Sequence, residues 1–436
     1  MKKQNSQILK FGLYGFLKNL RFFEPYLLYY LTVISGLTLF QVGILYSIRE
    51  IIIYVFEIPS GVIADRYGKK TELVFCFLFY IMSFTIFFIA TNFVMFTLAM
   101  ILFGLGEAFR SGTHKAMIMQ YLDKHEIKSS KSKIYGRTRS MSLLGSMTMS
   151  IISIIFIIWL PEVRYLFLLS IVPYLLDLML IMSYPKYLNN KASKKFELKE
   201  FLKENYLAVK YSFSESRVRA LIFGASSYQA AFKVLKDYIQ PIIISITVGV
   251  ILFTNFSLDE NLKIYIGVIY AVIYLVSSIA SRNAHRVVRN FDNEKVTNFM
   301  WVITGVVMII LSFFLDNLII IFGIFLIFYI LLNIRRPLMV ERVGDAAHPE
   351  KRASVLSVES QMTSLMVAIC APVIGFIADR NMSLMFILVG SVMVMIFIIN
   401  LILKQTKKEK QLDWVAFYYF LPNPILRLHF RIFLNA

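Results

Sequence analysis

Apolar residues fall into twelve runs, at 11–35, 42–63, 72–91, 93–113, 138–160, 164–184, 219–245, 264–284, 297–315, 317–339, 353–376 and 384–403. A helix rises about 1.5 Å per residue and a bilayer core is about 30 Å thick, so about 20 apolar residues span it. The runs predict an all-α, polytopic membrane protein of about twelve transmembrane helices. Lysine and arginine gather in alternate gaps. One set holds Lys2, Lys3 and Lys10; Arg66, Lys69 and Lys70; Lys124 to Arg137; Arg282 to Lys295; Arg342, Lys351 and Arg352; and Lys404, Lys407 and Lys408. The gaps at 36–41, 91–92 and 316–317 hold none. Basic loops stay on the cytoplasmic side. Both termini are therefore expected in the cytoplasm, at a cell membrane (inner or plasma membrane), and the number of crossings is even.

Composition leaves little room for anything else: of 436 residues, 58% are hydrophobic and 17% charged. The net charge of +19 would suggest nucleic acid on a compact basic domain. Here the cations are spread over loops, so the partner is the lipid bilayer and nucleic acid is excluded. Cys76 and Cys370 each lie in an apolar run, which argues against a disulfide framework. No phosphate-cradling Gly-Lys-Ser/Thr loop, His-rich cluster or Cys-His pair occurs. No cofactor, metal or enzymatic reaction is expected.

The chain repeats itself. Glu24-Pro25 is answered by Gln240-Pro241, Ala64-Asp65-Arg66 by Ala280-Ser281-Arg282, each 216 residues on, and Arg137 by Arg352, 215 residues on. A near-constant offset at equivalent topological points predicts two parallel six-helix halves. These are residues 1–184 and 219–403, with a lysine-rich cytoplasmic linker at 185–218 that carries a surface helix. The tail at 404–436 reads as an interfacial anchor, too broken for a full crossing.

The segment Gly61-Val62-Ile63-Ala64-Asp65-Arg66-Tyr67-Gly68-Lys69-Lys70, between the second and third runs, resembles the loop motif of the major facilitator superfamily, with a weaker copy at 277–286. The resemblance covers the whole chain in layout. It implies the fold of that superfamily and rocker-switch transport by a monomer, with Asp65 latching the cytoplasmic seam against the start of the eleventh helix. Glu57, Arg66, Lys69, Lys70, Arg137 and Arg282 join Asp65 as gating candidates. Gly61 is expected to allow close helix packing and Gly68 a tight turn. The sequence at 375–380, Gly-Phe-Ile-Ala-Asp-Arg, looks like a third copy, but parity puts it outside, where it reads as a plain helix end. Two departures weigh against a drug-proton antiporter: Gly145 stands without a proline in the fifth run, and Met100 takes the approximate place of an arginine in the fourth.

An ionised side chain at mid-membrane costs about 2.5–3.5 kcal/mol, so it faces a partner or a wet cavity. Lys18, Arg21 and Glu24 recur every third residue in the first run, and Lys233, Lys236 and Asp237 share a face of the seventh. The repeat sets Arg21 opposite Asp237, and the two are expected to meet across the twofold axis. Glu24, Glu50 and Glu107 are the candidate proton carriers, because such a carboxylate must respond to desolvation and to an approaching cation. Glu107 and Arg110 share a face and are expected to reach Asn333, Arg335, Arg336 or Glu359, while His114 reads as a solvated helix-end histidine. The function expected is secondary transport of a small-molecule substrate coupled to a proton or another ion. Export of an amphipathic or drug-like compound comes first, with uptake of a polar or anionic solute as the alternative. Lipid translocation or a polytopic membrane enzyme is more remote.

Overall fold

The computed structural model describes residues 2–110, 113–125, 131–189, 198–246, 257–287, 292–348 and 351–420. The first half comprises α1 (Lys2–Leu17), a short α2 (Leu27–Tyr29) between a 3-10 turn (Glu24–Tyr26) and a π turn (Tyr30–Ile34), α3 (Leu39–Tyr67), α4 (Lys69–Ile89), α5 (Phe93–Arg110), α6 (Thr113–Lys124), α7 (Lys131–Trp159) and α8 (Tyr165–Met182). After α9 (Leu198–Ser214) come α10 (Ser216–Leu235), α11 (Ile239–Ile246), α12 (Leu258–Val287), α13 (Asn293–Leu311), α14 (Leu318–Ala346), α15 (Arg352–Arg380) and α16 (Met382–Phe420).

Among the described residues ten helices are long and apolar enough to cross a membrane, namely α3, α4, α5, α7, α8 and α12 to α16. The first and seventh crossings are the split ones, α1 through the π turn and α10 with α11. Each breaks where charge and proline coincide. Between Leu17 and Glu24 the backbone tightens into turns, and Pro25, without an N–H, opens the 3-10 segment. In the seventh crossing the helix stops at Leu235, turns through Lys236 to Tyr238, and restarts with Pro241 in its first turn.

Packing repeats between the halves. The pairs α1–α7, α3–α5, α4–α5 and α4–α8 are matched by α10–α15, α12–α14, α13–α14 and α13–α16. Two long pairs, α3–α15 and α7–α12, join the halves. Glycine brings backbones together at both kinds of seam. Within a half, a Cβ on Gly145 of α7 would meet the Phe16 carbonyl oxygen of α1 at 2.4 Å; between the halves, one on Gly375 of α15 would meet that of Leu39 of α3 at 2.3 Å.

α9 docks on the second half. Ala208, Tyr211 and Phe213 pack on a small core built from Val218, Met339, Val343 and Val355, and the Lys351 ammonium stands 4.1 Å from the Tyr211 ring centre. The final helix continues through Phe420, so the tail expected to break after the twelfth crossing is helical for its first part; residues 421–436 lie outside the described residues.

Candidate functional site

A cavity of about 930 Å³ lies between the halves. Its walls come from the ends of α3, α14 and α15 that hold Tyr67, Ala346 and Arg352, through Ile53, Glu57, Arg336, Leu356 and Glu359. It therefore faces the end of the bundle that carries the basic loops. The opposite end is shut. There the Tyr26 hydroxyl donates to the Lys263 carbonyl at 3.0 Å, the Tyr29 N–H donates to Gln240 Oε1 at 2.8 Å, and Asp379 closes on the start of α3.

That last contact corrects the plain helix end expected at 375–380. Oδ1 of Asp379 accepts from the Leu39 N–H at 2.7 Å and Oδ2 from the Phe40 N–H at 2.8 Å. The Gln41 N–H goes to Thr38 Oγ1. All three first-turn donors of α3 are thus met, two of them by the other half, and a carboxylate at a helix N-terminus also meets the positive end of its dipole.

Charge inside the bundles is arranged in three groups. In the first, Glu107 receives Arg21 Nη2 at 2.7 Å on one oxygen and Arg110 on the other. The Arg21 guanidinium also donates to the Tyr174 hydroxyl and lies 5.0 Å from the Tyr80 ring centre and 4.9 Å from that of Phe103. In the second, Glu50 of α3 takes Lys233 of α10 at 3.0 Å and its neighbour Arg49 at 3.0 Å. In the third, Lys236 chelates Asp237 at 2.7 and 2.8 Å, and Tyr270 donates to the same carboxylate at 3.1 Å.

Several expectations change. Arg21 and Asp237 do not pair; each finds its counter-charge in its own half, because the three-residue spacing that sets a helix face does not set where that face points. Glu24 and Asp237, one from each half, do lie within electrostatic reach of the same three rings, Tyr46, Tyr274 and Tyr329. Glu107 and Arg110 bind Arg21 and Tyr80, not α14 or α15, although Glu359, Arg335 and Arg336 line the same cavity. Arg335 instead buries its guanidinium 4.2 Å from the Tyr228 ring centre and donates to the Gly224 carbonyl at 3.1 Å. His114 is buried, stacks on Tyr14 at 3.6 Å and bonds the Tyr184 hydroxyl at 3.1 Å; the rings of Phe11 and Tyr14 in α1 and of Tyr184 beyond α8 cover a helix end that would otherwise be wet.

Around the basic loop, Gly68 has φ +100° and abuts Asn189, whose Oδ1 accepts from the Lys70 N–H at 2.9 Å. A residue with a Cβ would be strained there. Gly61, expected at a close contact, has open space around it. Lys69 reaches Gln120 at 3.4 Å, Lys70 reaches the Met182 carbonyl, and Arg66 lies over the Tyr67 ring. Glu57 lines the cavity. The side chains of Asp65, Arg137 and Arg282 lie outside the described residues. Sequence reading passed over Tyr80, Tyr174 and Asp177. The first two are ring partners of Arg21, and Asp177 is a lone acid in an apolar run, the one signal that could have found it.

A bundle of two matched halves around a polar cavity is the architecture of a membrane transporter. The sequence profile of the Major Facilitator Superfamily matches residues 19–358, and the chain belongs to that family. An uncharacterized MFS-type transporter of Bacillus subtilis (strain 168), YxaM, is 24% identical over 206 residues, which is 46% of this chain and 49% of that protein, so the match spans about half of the relative. Solved structures share the fold at low identity. The nucleoside transporter NupG aligns with a TM-score of 0.73 at 10% identity, covering 90% of this chain and 97% of that one. A POT family transporter in complex with a thioalcohol conjugated peptide gives 0.69 at 13%, covering 92% and 95%. A bacterial homolog to the human lysosomal transporter Spinster, inward-facing and unoccupied, gives 0.66 at 16%, covering 86% and 83%.

Proposed function

We propose that this chain is a proton-coupled secondary transporter that moves a polar, anionic small molecule by rocker-switch alternating access. The end carrying the basic loops faces the cytoplasm, and the conformation described is then the inward-open one. The observation that carries the substrate class is the charge balance at the cavity. Glu107 is clamped by two arginines, Glu50 by a lysine and an arginine. Each cluster keeps one positive charge in excess, Lys18 adds a third, and the lining acids Glu57 and Glu359 are balanced by Arg335 and Arg336. In a low-dielectric enclosure such an excess attracts an anion far more strongly than it would in water. The cavity is complete within one chain, which supports a monomer as the working unit.

Export of an amphipathic compound is the second reading, favoured by Phe11, Tyr14, Ile118 and Leu332 in the same walls. A thermal-shift screen of the purified protein with small organic carboxylates, neutral polar solutes and amphipathic amines separates the two. Stabilisation by carboxylates that is lost in Lys18→Gln, followed by their proton-driven uptake into proteoliposomes, supports the anionic reading. Stabilisation by the amines alone overturns it.

A further inference from the structure

Asp177 lies on α8 three residues beyond Tyr174, is 0% exposed, and neither of its carboxyl oxygens has a hydrogen-bond partner among the described residues. The acids of the three charge clusters, Glu107, Glu50 and Asp237, are all held by cations. An ionised carboxylate buried without such a partner costs several kcal/mol, and the usual relief is to take up a proton.

The groups around it are few. Tyr14 and Lys18 of the first crossing and Tyr184 beyond α8 lie within electrostatic reach. From α4, which packs along α8, Glu72 bonds Thr113, Cys76 the Gly106 carbonyl and Tyr80 Arg110, while Lys70 bonds the Met182 carbonyl at the end of α8, more than one turn beyond Asp177. From α7, the span from Met141 to Trp159 carries no titratable side chain. Lys18 is therefore the charged partner within range. Its ammonium stands 5.6 Å from the Tyr14 ring centre, lines the cavity, and makes no ion pair among the described residues.

We propose that Asp177 is a proton-binding site whose occupancy decides whether the Lys18 ammonium serves the cavity. With Asp177 neutral, the positive charge of Lys18 is uncompensated and is available to an anionic group of the substrate. When the proton leaves Asp177 for water, the carboxylate draws Lys18 into the bundle and the anion loses its anchor. Tyr174, on the same face of α8, donates to the Lys18 carbonyl at 2.8 Å and accepts from Arg21, so the helix that holds the acid also holds the break from which Lys18 projects. Proton and anion are then taken up and released together. The inference rests on the anionic-substrate reading above.

Infrared difference spectroscopy of the protein in nanodiscs, titrated from acid to alkaline pH, tests the site without any substrate. The expected result is a carboxylic-acid C=O band at neutral pH that is missing in Asp177→Asn, which keeps the side-chain shape. The titration midpoint of that band moves upward by about one pH unit or more in Lys18→Gln, since removing a nearby cation favours the neutral acid. A band unchanged in Asp177→Asn overturns the site. Should that variant fail to fold, an unmoved midpoint in Lys18→Gln overturns the coupling. The anionic-substrate reading fails separately, if the band behaves as expected while organic carboxylates neither stabilise the protein nor enter vesicles.

Discussion

Asp379 of α15 and Leu39 of α3, 340 residues apart, meet through a 2.7 Å hydrogen bond from backbone N–H to carboxylate that holds one end of the cavity shut. Helix-capping carboxylates contribute about 1 kcal/mol. Asp379→Ala should therefore move the balance about fivefold toward opening at that end. The population showing the longer distance between spin labels at Thr91 and Phe313, exposed at the same end of opposite halves, should grow in that proportion; an unchanged distribution would show that the cap is incidental.

The same seam allows no side chain at Gly375, where a Cβ would meet only backbone of Leu39 and Phe40. Gly375→Ala must push α3 and α15 apart, at a cost of about 1–3 kcal/mol to the closed end. In a background lacking Cys76 and Cys370, maleimide should label Ala371→Cys faster in this variant than without it. Equal rates would mean that the helices slide to accommodate the methyl group.

Glu107 separates two arginines. Glu107→Gln leaves Arg21 and Arg110 facing each other with side-chain exposures of 13% and 29%, and breaking such a cluster costs about 3–5 kcal/mol. Thermal unfolding in detergent should show a loss of that order. A loss under about 1 kcal/mol would mean that cavity water screens the pair.

Glu50 and Lys233 join the halves across the cavity wall at 3.0 Å. A double-mutant cycle with Glu50→Gln and Lys233→Gln should return a coupling of about 1–3 kcal/mol. Additive single effects would assign Glu50 to Arg49 alone.

The crossings were legible because insertion in lipid demands long apolar helices, and the repeat offset set Pro25 and Pro241 at matching places in the first and seventh, though not the breaks that the structure shows there. What failed was pairing. The spacing of Lys18, Arg21 and Glu24 fixes a helix face but not its angle to the twofold axis, so the partner of Arg21 turned out to be Glu107 of α5 rather than Asp237. The parity argument set 375–380 at the right end of the bundle and then overlooked that this end needs a closure of its own. Asp177 stayed hidden because a single acid in a mostly apolar helix of 18 residues hardly alters a hydropathy window, although its energetic weight is far larger than its share of the average.

Because Arg21 finds its counter-charge 86 residues downstream and its tyrosine partner 153 residues downstream, the segment that carries it leaves the ribosome and meets the lipid with its polar break unmatched. Its stable seating has to wait until α5 and α8 have been synthesised. The order of translation and the order of assembly thus diverge at the first crossing, and a chain truncated before α8 would expose that segment to membrane quality control.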